Sequence, residues 1–283
     1  MNTLPTLFLS HGSPMLALEP GTTGPFLQAL GQAIDATFGR PRAILAVSAH
    51  STAREPVLLA SAQHRAVYDF GGFPDELYQL QYNAPGAPEL AATVQGMLSE
   101  AGLPVHSLDQ GGLDHGIWSM LRFIYPQAGI PVLPLAWVPN LPPAQQFALG
   151  EALSALSQQG VLVMGSGSIT PNLRRIFAGG RPAVDSQEIV ESSSFRQWMI
   201  DRSAARDWDS LFAYRSKAPY AADMHPTDEH LLPWYVAAGA GGRDHAPQRL
   251  HAAVTYGCLG MDAYAFGPQA VVLKEAMAAE ALA

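Results

Sequence analysis

Six short apolar runs recur along the chain: LPTLFLS (4–10), RAILAVS (42–48), PVLLAS (56–61), IPVLPLAW (130–137), GVLVMGSG (160–167) and LHAAVTYG (250–257). Runs of this length bounded by turn residues predict buried strands. The segments between them carry helical spacing instead. Phe26, Leu30, Ala33, Ile34 and Phe38 fall on one helical face, with Gly39 as the stop, and Leu90, Val94, Met97 and Leu98 repeat the pattern. QQFALGEALSALSQQG leads straight into the fifth run, and the longer polar-faced stretch 187–215 predicts two helices.

Strand and helix in alternation imply an α/β fold, a single domain spanning 1–283, with a central mostly parallel or mixed sheet flanked by helices. In such sheets ligands bind beyond the carboxyl ends of the strands. Two of the runs end there in histidine, His11 in SHGSP and His50 in SAHS, which predicts a site at that edge. Residues 68–88, rich in Gly, Pro and aromatics, read as a lid or pocket wall. We see no internal repeat.

Composition narrows the function. The chain has 283 residues, 48% hydrophobic and 14% charged, enough for a large core. Its formal charge of −8, with no basic block, argues against nucleic acid and anionic membrane surfaces as partners. One cysteine, Cys258, leaves no disulfide and no CxxC-type zinc or redox motif, and reads as a small buried apolar residue. No basic leader and no bilayer-length apolar run are seen, so a cytoplasmic setting is expected.

Chemistry centres on histidine. Of nine, His64, His106, His245 and His251 have no special context. His115 stands in GGLDHGIW, and His225 and His230 bracket HPTDEH. The i, i+5 spacing of that pair fits neither one helical face nor HExxH. Accordingly His225, before Pro226, is expected in an extended turn at the site, and His230 in the following helix. A metal at His11, His50 and His225 competes with separate hydrogen-bonded histidines. GSGSITPNL (165–173) is a glycine–serine turn that matches neither a P-loop nor GxGxxG, and no serine sits in a GxSxG elbow.

Taken in order, HGSPM, SAH, YDFGGFP, LDHGIWSML, GSGSITPNL, HPTDEHLLP and MDAYAFG resemble the class III extradiol ring-cleavage dioxygenases (the LigB superfamily), in the branch similar to 4,5-DOPA dioxygenase. The resemblance covers nearly the whole chain. It implies an oxidoreductase that opens a small catecholic or phenolic ring with O2, using non-haem Fe(II), with Zn(II) as an occupant of the same site. It also implies His11, His50 and His225 as metal ligands and His115 as the acid/base histidine. Asp114, Asp223 and Glu229 lie beside these positions and suit orientation of imidazole rings. The sequence departs from the pattern at Pro171, where the family's turn carries a histidine. A zinc hydrolase, or a catalytically silent protein that binds metal or an aromatic ligand, is the alternative. Homo-oligomerisation is left open.

Overall fold

The computed structural model of the chain describes residues 3–172 and 182–280. Twelve strands are described: β1 (Thr6–Ser10), β2 (Ala43–Ser48), β3 (Val57–Leu59), β4 (Gln63–His64), β5 (Ala84–Pro85), β6 (His106–Leu108), β7 (Val132–Ala136), β8 (Val161–Gly167), β9 (Gln248–His251), β10 (Val254–Thr255), β11 (Leu259–Gly260) and β12 (Ala263–Phe266). Eight of them form one sheet in the order β6-β3-β7-β2-β8-β1-β12-β9. The four central strands β7, β2, β8 and β1 run parallel, and the antiparallel steps lie at β7 to β3, β1 to β12 and β12 to β9. The sheet is therefore mixed around a parallel centre, as the strand pattern predicts.

Helices α1 (Thr23–Phe38), α3 (His115–Ile124) and α10 (Ala270–Glu280) cover one face; α2 (Pro88–Glu100), α4 (Pro143–Ala152) and α9 (Leu232–Gly241) cover the other. The polar-faced stretch resolves into α5 (Val190–Ala204) and the short α6 (Trp208–Phe212) and α7 (Tyr214–Lys217), followed by α8 (Ala221–Met224). Strand side chains alternate between faces. Phe8, Leu45, Val47, Val161 and Val163 enter the core that contains Val94, Phe147 and Trp234. Leu7, Leu9, Ile44, Ala46, Leu162 and Met164 enter the opposite core with Leu30, Ile34, Trp118 and Leu273. Both faces being dry explains why the central strands read as unbroken apolar runs. Among the described residues no helix is long and apolar enough to cross a membrane.

Two departures from the sequence pattern position the site. MDAYAFG contributes β12, which pairs with β1 through Thr6↔Phe266 to Leu9↔Ala263. At its head Asp262, fully buried, accepts hydrogen bonds from Arg196 (2.7 Å) and pairs with Arg249 (2.6 Å), while its backbone carbonyl takes the Ser10 N–H. A buried carboxylate needs such partners, and here they lock the strand beside the end of β1.

α9 packs closely on α4. A Cβ on Gly239 would come 2.0 Å from the Phe147 carbonyl oxygen, and one on Gly150 would come 2.0 Å from that of Val236. Neither obstacle is a flexible side chain, so the helices must part. Gly239→Ala is expected to cost about 1–3 kcal/mol and lower the melting temperature by several degrees, read by circular dichroism. An unchanged melting temperature would mean that the helices separate freely.

Candidate metal centre

The central strands β1, β2 and β8 end at one edge, and three histidines converge there. His11 follows β1, and its N–H donates to Gly167 O at 2.9 Å. His50 follows β2 by two residues. His230 precedes α9 on a turn whose carbonyl accepts the Ser168 N–H at 2.9 Å. One ring nitrogen from each of the three lies within 4.8 Å of the others.

Glycines make room for this convergence. A Cβ on Gly167 would stand 2.0 Å from His230 O, and one on Gly165 would stand 2.4 Å from Pro233 O. The glycine–serine turn thus serves backbone approach to β8. On the other face Gly116, in the first turn of α3, leaves no space for a Cβ against Ser48 Oγ (2.6 Å) and His11 Nδ1 (3.0 Å).

Hydrogen bonding assigns the ring nitrogens. Ser166 Oγ donates its one proton to Gly116 O, so its bond with His11 Nδ1 (2.9 Å) must be donated by the imidazole. His11 therefore presents a bare Nε2. Glu229 is held at about 2, chiefly by its hydrogen bond with His230, and its carboxylate accepts from His230 Nδ1 at 3.1 Å. His230 Nε2 is bare by the same logic. His50 Nδ1 lies 3.4 Å from Asp69 Oδ2, and its Nε2 sits 3.0 Å from His11 Nε2.

These two Nε2 nitrogens can share one proton as a hydrogen bond, and a cation between them would take that proton's place. Protonation is disfavoured, since burial first, then the neighbouring imidazoles, holds His11 well below its usual range and His50 at about 3. Three imidazoles with converging nitrogens fit a borderline divalent metal, Fe(II) and Zn(II) alike.

His225, expected as a third ligand, is not brought to this group. It caps α8, its N–H bonded to Ala221 O. Its fully buried ring packs against Phe195 and Tyr214, Nε2 donates to Ile169 O at 2.7 Å, and Nδ1 has no hydrogen-bond partner. The six residues HPTDEH form a reversing turn and no helix, so helical spacing did not apply to them. α9 begins only at Leu232, with Pro233 in its first turn, which leaves His230 outside the helix and free to reach the edge. The glutamate before His230 was the available signal.

His115 opens α3 beside the trio, its ring centroid 4.1 Å from that of His50 and 5.3 Å from that of His11. Asp114 accepts from Ser48 (2.7 Å) and Ser51 (2.5 Å), which ties α3 to the end of β2. Sequence reasoning missed Asp69. From the 68–88 segment it accepts the His115 N–H at 2.9 Å and lies 3.0 Å from His115 Nδ1. Its neighbour Phe70 packs edge-on against His115 at 5.5 Å.

Comparison with known proteins gives a concordant result. The family model for the catalytic LigB subunit of aromatic ring-opening dioxygenases matches residues 5–267. A 4,5-DOPA dioxygenase extradiol of Beta vulgaris is 34% identical over 94% of this chain and 97% of its own. One from Escherichia coli K12 is 36% identical over 84% of this chain and 85% of its own. The crystal structure of an uncharacterized Escherichia coli K12 protein superposes with a TM-score of 0.75 at 29% identity, covering 93% of this chain and all of that one.

Burial gives the metal-free protein a specific acid response. His225 in the fold stays neutral to about pH 3, mainly through burial, against 6.5 for a free imidazole. Its contribution is complete above 6.5 and is lost as pH falls from there towards 3, at up to about 1.4 kcal/mol per pH unit. The urea midpoint should drop between about pH 7 and about pH 4, and less steeply in His225→Leu. An equal slope in the two proteins would assign the acid response elsewhere.

Proposed function

Because the chain belongs to the LigB family of aromatic ring-opening dioxygenases, we propose that it opens a small catecholic ring with O2 at a metal held by His11, His50 and His230. The observation that carries this reading is the convergence of those imidazoles at the carboxyl edge of the parallel strands, with the Nδ1 atoms of His11 and His230 engaged elsewhere. The family is metal-dependent. Fe(II) is the proposed native ion, and bound there it would hold the catecholic oxygens and O2 side by side. Zn(II) suits the same donors.

The chain's own residues supply the rest. His115 stands next to the trio without belonging to it, the place for a group that takes a proton from a substrate hydroxyl and returns it later. Phe70, edge-on to His115, offers an apolar wall for a planar ring. A cavity of about 580 Å³ opens between Ala49, beside His50, and Glu229, beside His230, with Asn140, Thr227 and Arg215 along it. The cavity lies beside the histidine group, and its volume is within the range of small-molecule sites.

The ligand set and the activity are tested together. Anaerobic reconstitution with Fe(II), followed by catechols and air, should give a yellow ring-opened product with matching O2 uptake. His230→Ala should lose stoichiometric metal and His225→Gln should keep it. Turnover on Zn(II) without O2 uptake would instead establish a hydrolase, and retained metal in His230→Ala would return the third ligand to another residue. His115→Gln should keep the metal and lower kcat by about 100-fold or more.

Pro171 offers a separate test. Its two neighbours are held through their side chains, Thr170 Oγ1 accepting the Gly260 N–H and Asn172 Nδ2 donating to Asp223 O. Three imidazoles suffice as a chelate without a fourth, so Pro171→His should leave metal content unchanged. The added donor should shift preference among hydroxylated rings by about tenfold. A rise in metal occupancy from near zero would make the fourth histidine a required ligand.

A further inference from the structure

Asp69 touches two imidazoles at once. Its Oδ1 accepts the backbone N–H of His115 at 2.9 Å, and both its oxygens lie 3.0 Å from His115 Nδ1. Oδ2 also lies 3.4 Å from His50 Nδ1. Oδ1 already serves as the acceptor for the main-chain N–H, and His115 Nδ1 meets both oxygens of the same carboxyl as a donor. The Nε2 of His115 is thereby left bare on the far side of its ring, and the Nδ1 of His50 is turned toward the same carboxyl.

We propose that Asp69 is a positioning residue that fixes the tautomer and orientation of His115 and His50 together, so that one carboxylate sets both the proton acceptor and a metal ligand. This rests on His115 as the base and His50 as a ligand. The sharing matters because two separate orienting groups could drift relative to each other, whereas a common one ties base to metal.

Asp69 also belongs to a segment held in place on both sides. Flanking it, Val67 N–H donates to Leu113 O at 2.7 Å and Val67 O accepts from Trp118 Nε1 at 3.0 Å. Tyr68 Oη donates to Leu80 O at 2.6 Å, and Phe70 packs against Tyr78 at 5.2 Å as well as against His115. The segment whose Phe70 faces His115 therefore also carries the carboxyl that orients His115. A plain helix cap is the competing role, since Asp114 at the start of α3 spends its carboxylate on Ser48 and Ser51 and leaves the His115 N–H to Asp69.

Asp69→Asn separates the two. Asparagine keeps an acceptor for the backbone N–H but turns an N–H toward an imidazole that already presents one, which forces a tautomer change. In nitrogen-15 spectra of the full chain, His115 (zinc-loaded) and His50 (metal-free) should both show protonated Nδ1 in the unsubstituted protein. In Asp69→Asn at least one should move to Nε2–H, Co(II) affinity should fall about 10- to 100-fold, and kcat of the iron-loaded enzyme should fall about 100-fold with KM within a few-fold. Asp69→Glu should retain the original tautomers. A protonated Nε2 on His115 in the unsubstituted protein overturns the proposal, without recourse to a variant. So does an Asp69→Asn protein that loses only thermal stability. If the iron-loaded unsubstituted protein opens no ring, the functional reading fails, while the spectra and the Co(II) titration still decide the role of Asp69.

Discussion

The site depends on one close approach: the carbonyl of His230 lies where a side chain on Gly167 would have to stand. β8 is the strand on which the others converge. Its carbonyl at Gly167 takes the His11 N–H, that at Ser166 takes the Ala49 N–H, and the Ser168 N–H reaches His230 O. Main-chain bonds thus place all three imidazoles relative to one strand, and main chain is stiffer than any side-chain scaffold. Ser166 then projects to the face opposite Gly167 and bonds both His11 and Gly116. In three consecutive residues, GSG, the two glycines admit a backbone and the serine orients a ring.

Burial sets the electrostatics of this edge. His11 and His50 are close together and withdrawn from water, and burial first, then the neighbouring imidazoles, holds both below the usual range of a histidine. The two carboxylates that would otherwise favour protonation, Asp69 and Glu229, face Nδ1 atoms. They therefore direct the lone pairs without cancelling them. A pre-oriented trio of this kind has its reorganisation done before any ion arrives.

Much of the fold was readable from periodicity, because runs such as AILAVS and VLVMGSG are buried on both faces and cannot alternate. The antiparallel flank β12 was harder. AYAF is only four residues long, and the buried Asp262 that begins it looks like a turn residue until Arg196 and Arg249 are seen around it. At the site, His11 and His50 were marked by strand ends. The choice between His225 and His230 was not, because the geometry of a turn has no period to read. Asp69 was invisible for a related reason: a loop carboxylate acquires meaning only from what the fold sets against it. The role of GSG was not legible either, because glycine has the same signature whether the approaching group is a phosphate or a carbonyl.

The spread of the three converging histidines along the chain has a temporal consequence. His11 leaves the ribosome about 220 residues ahead of His230, which at ordinary elongation rates is about 10 to 45 s. Through that interval the first two imidazoles exist without the third. The missing one rides on the turn before α9, which docks on β8 and β1 only once most of the polypeptide has been made. With the proposed ligand set, tight chelation is therefore postponed to the final stage of assembly. On that ligand set a nascent chain would offer passing ions only a weak bidentate grip, and selection of the ion would be deferred to the closed fold.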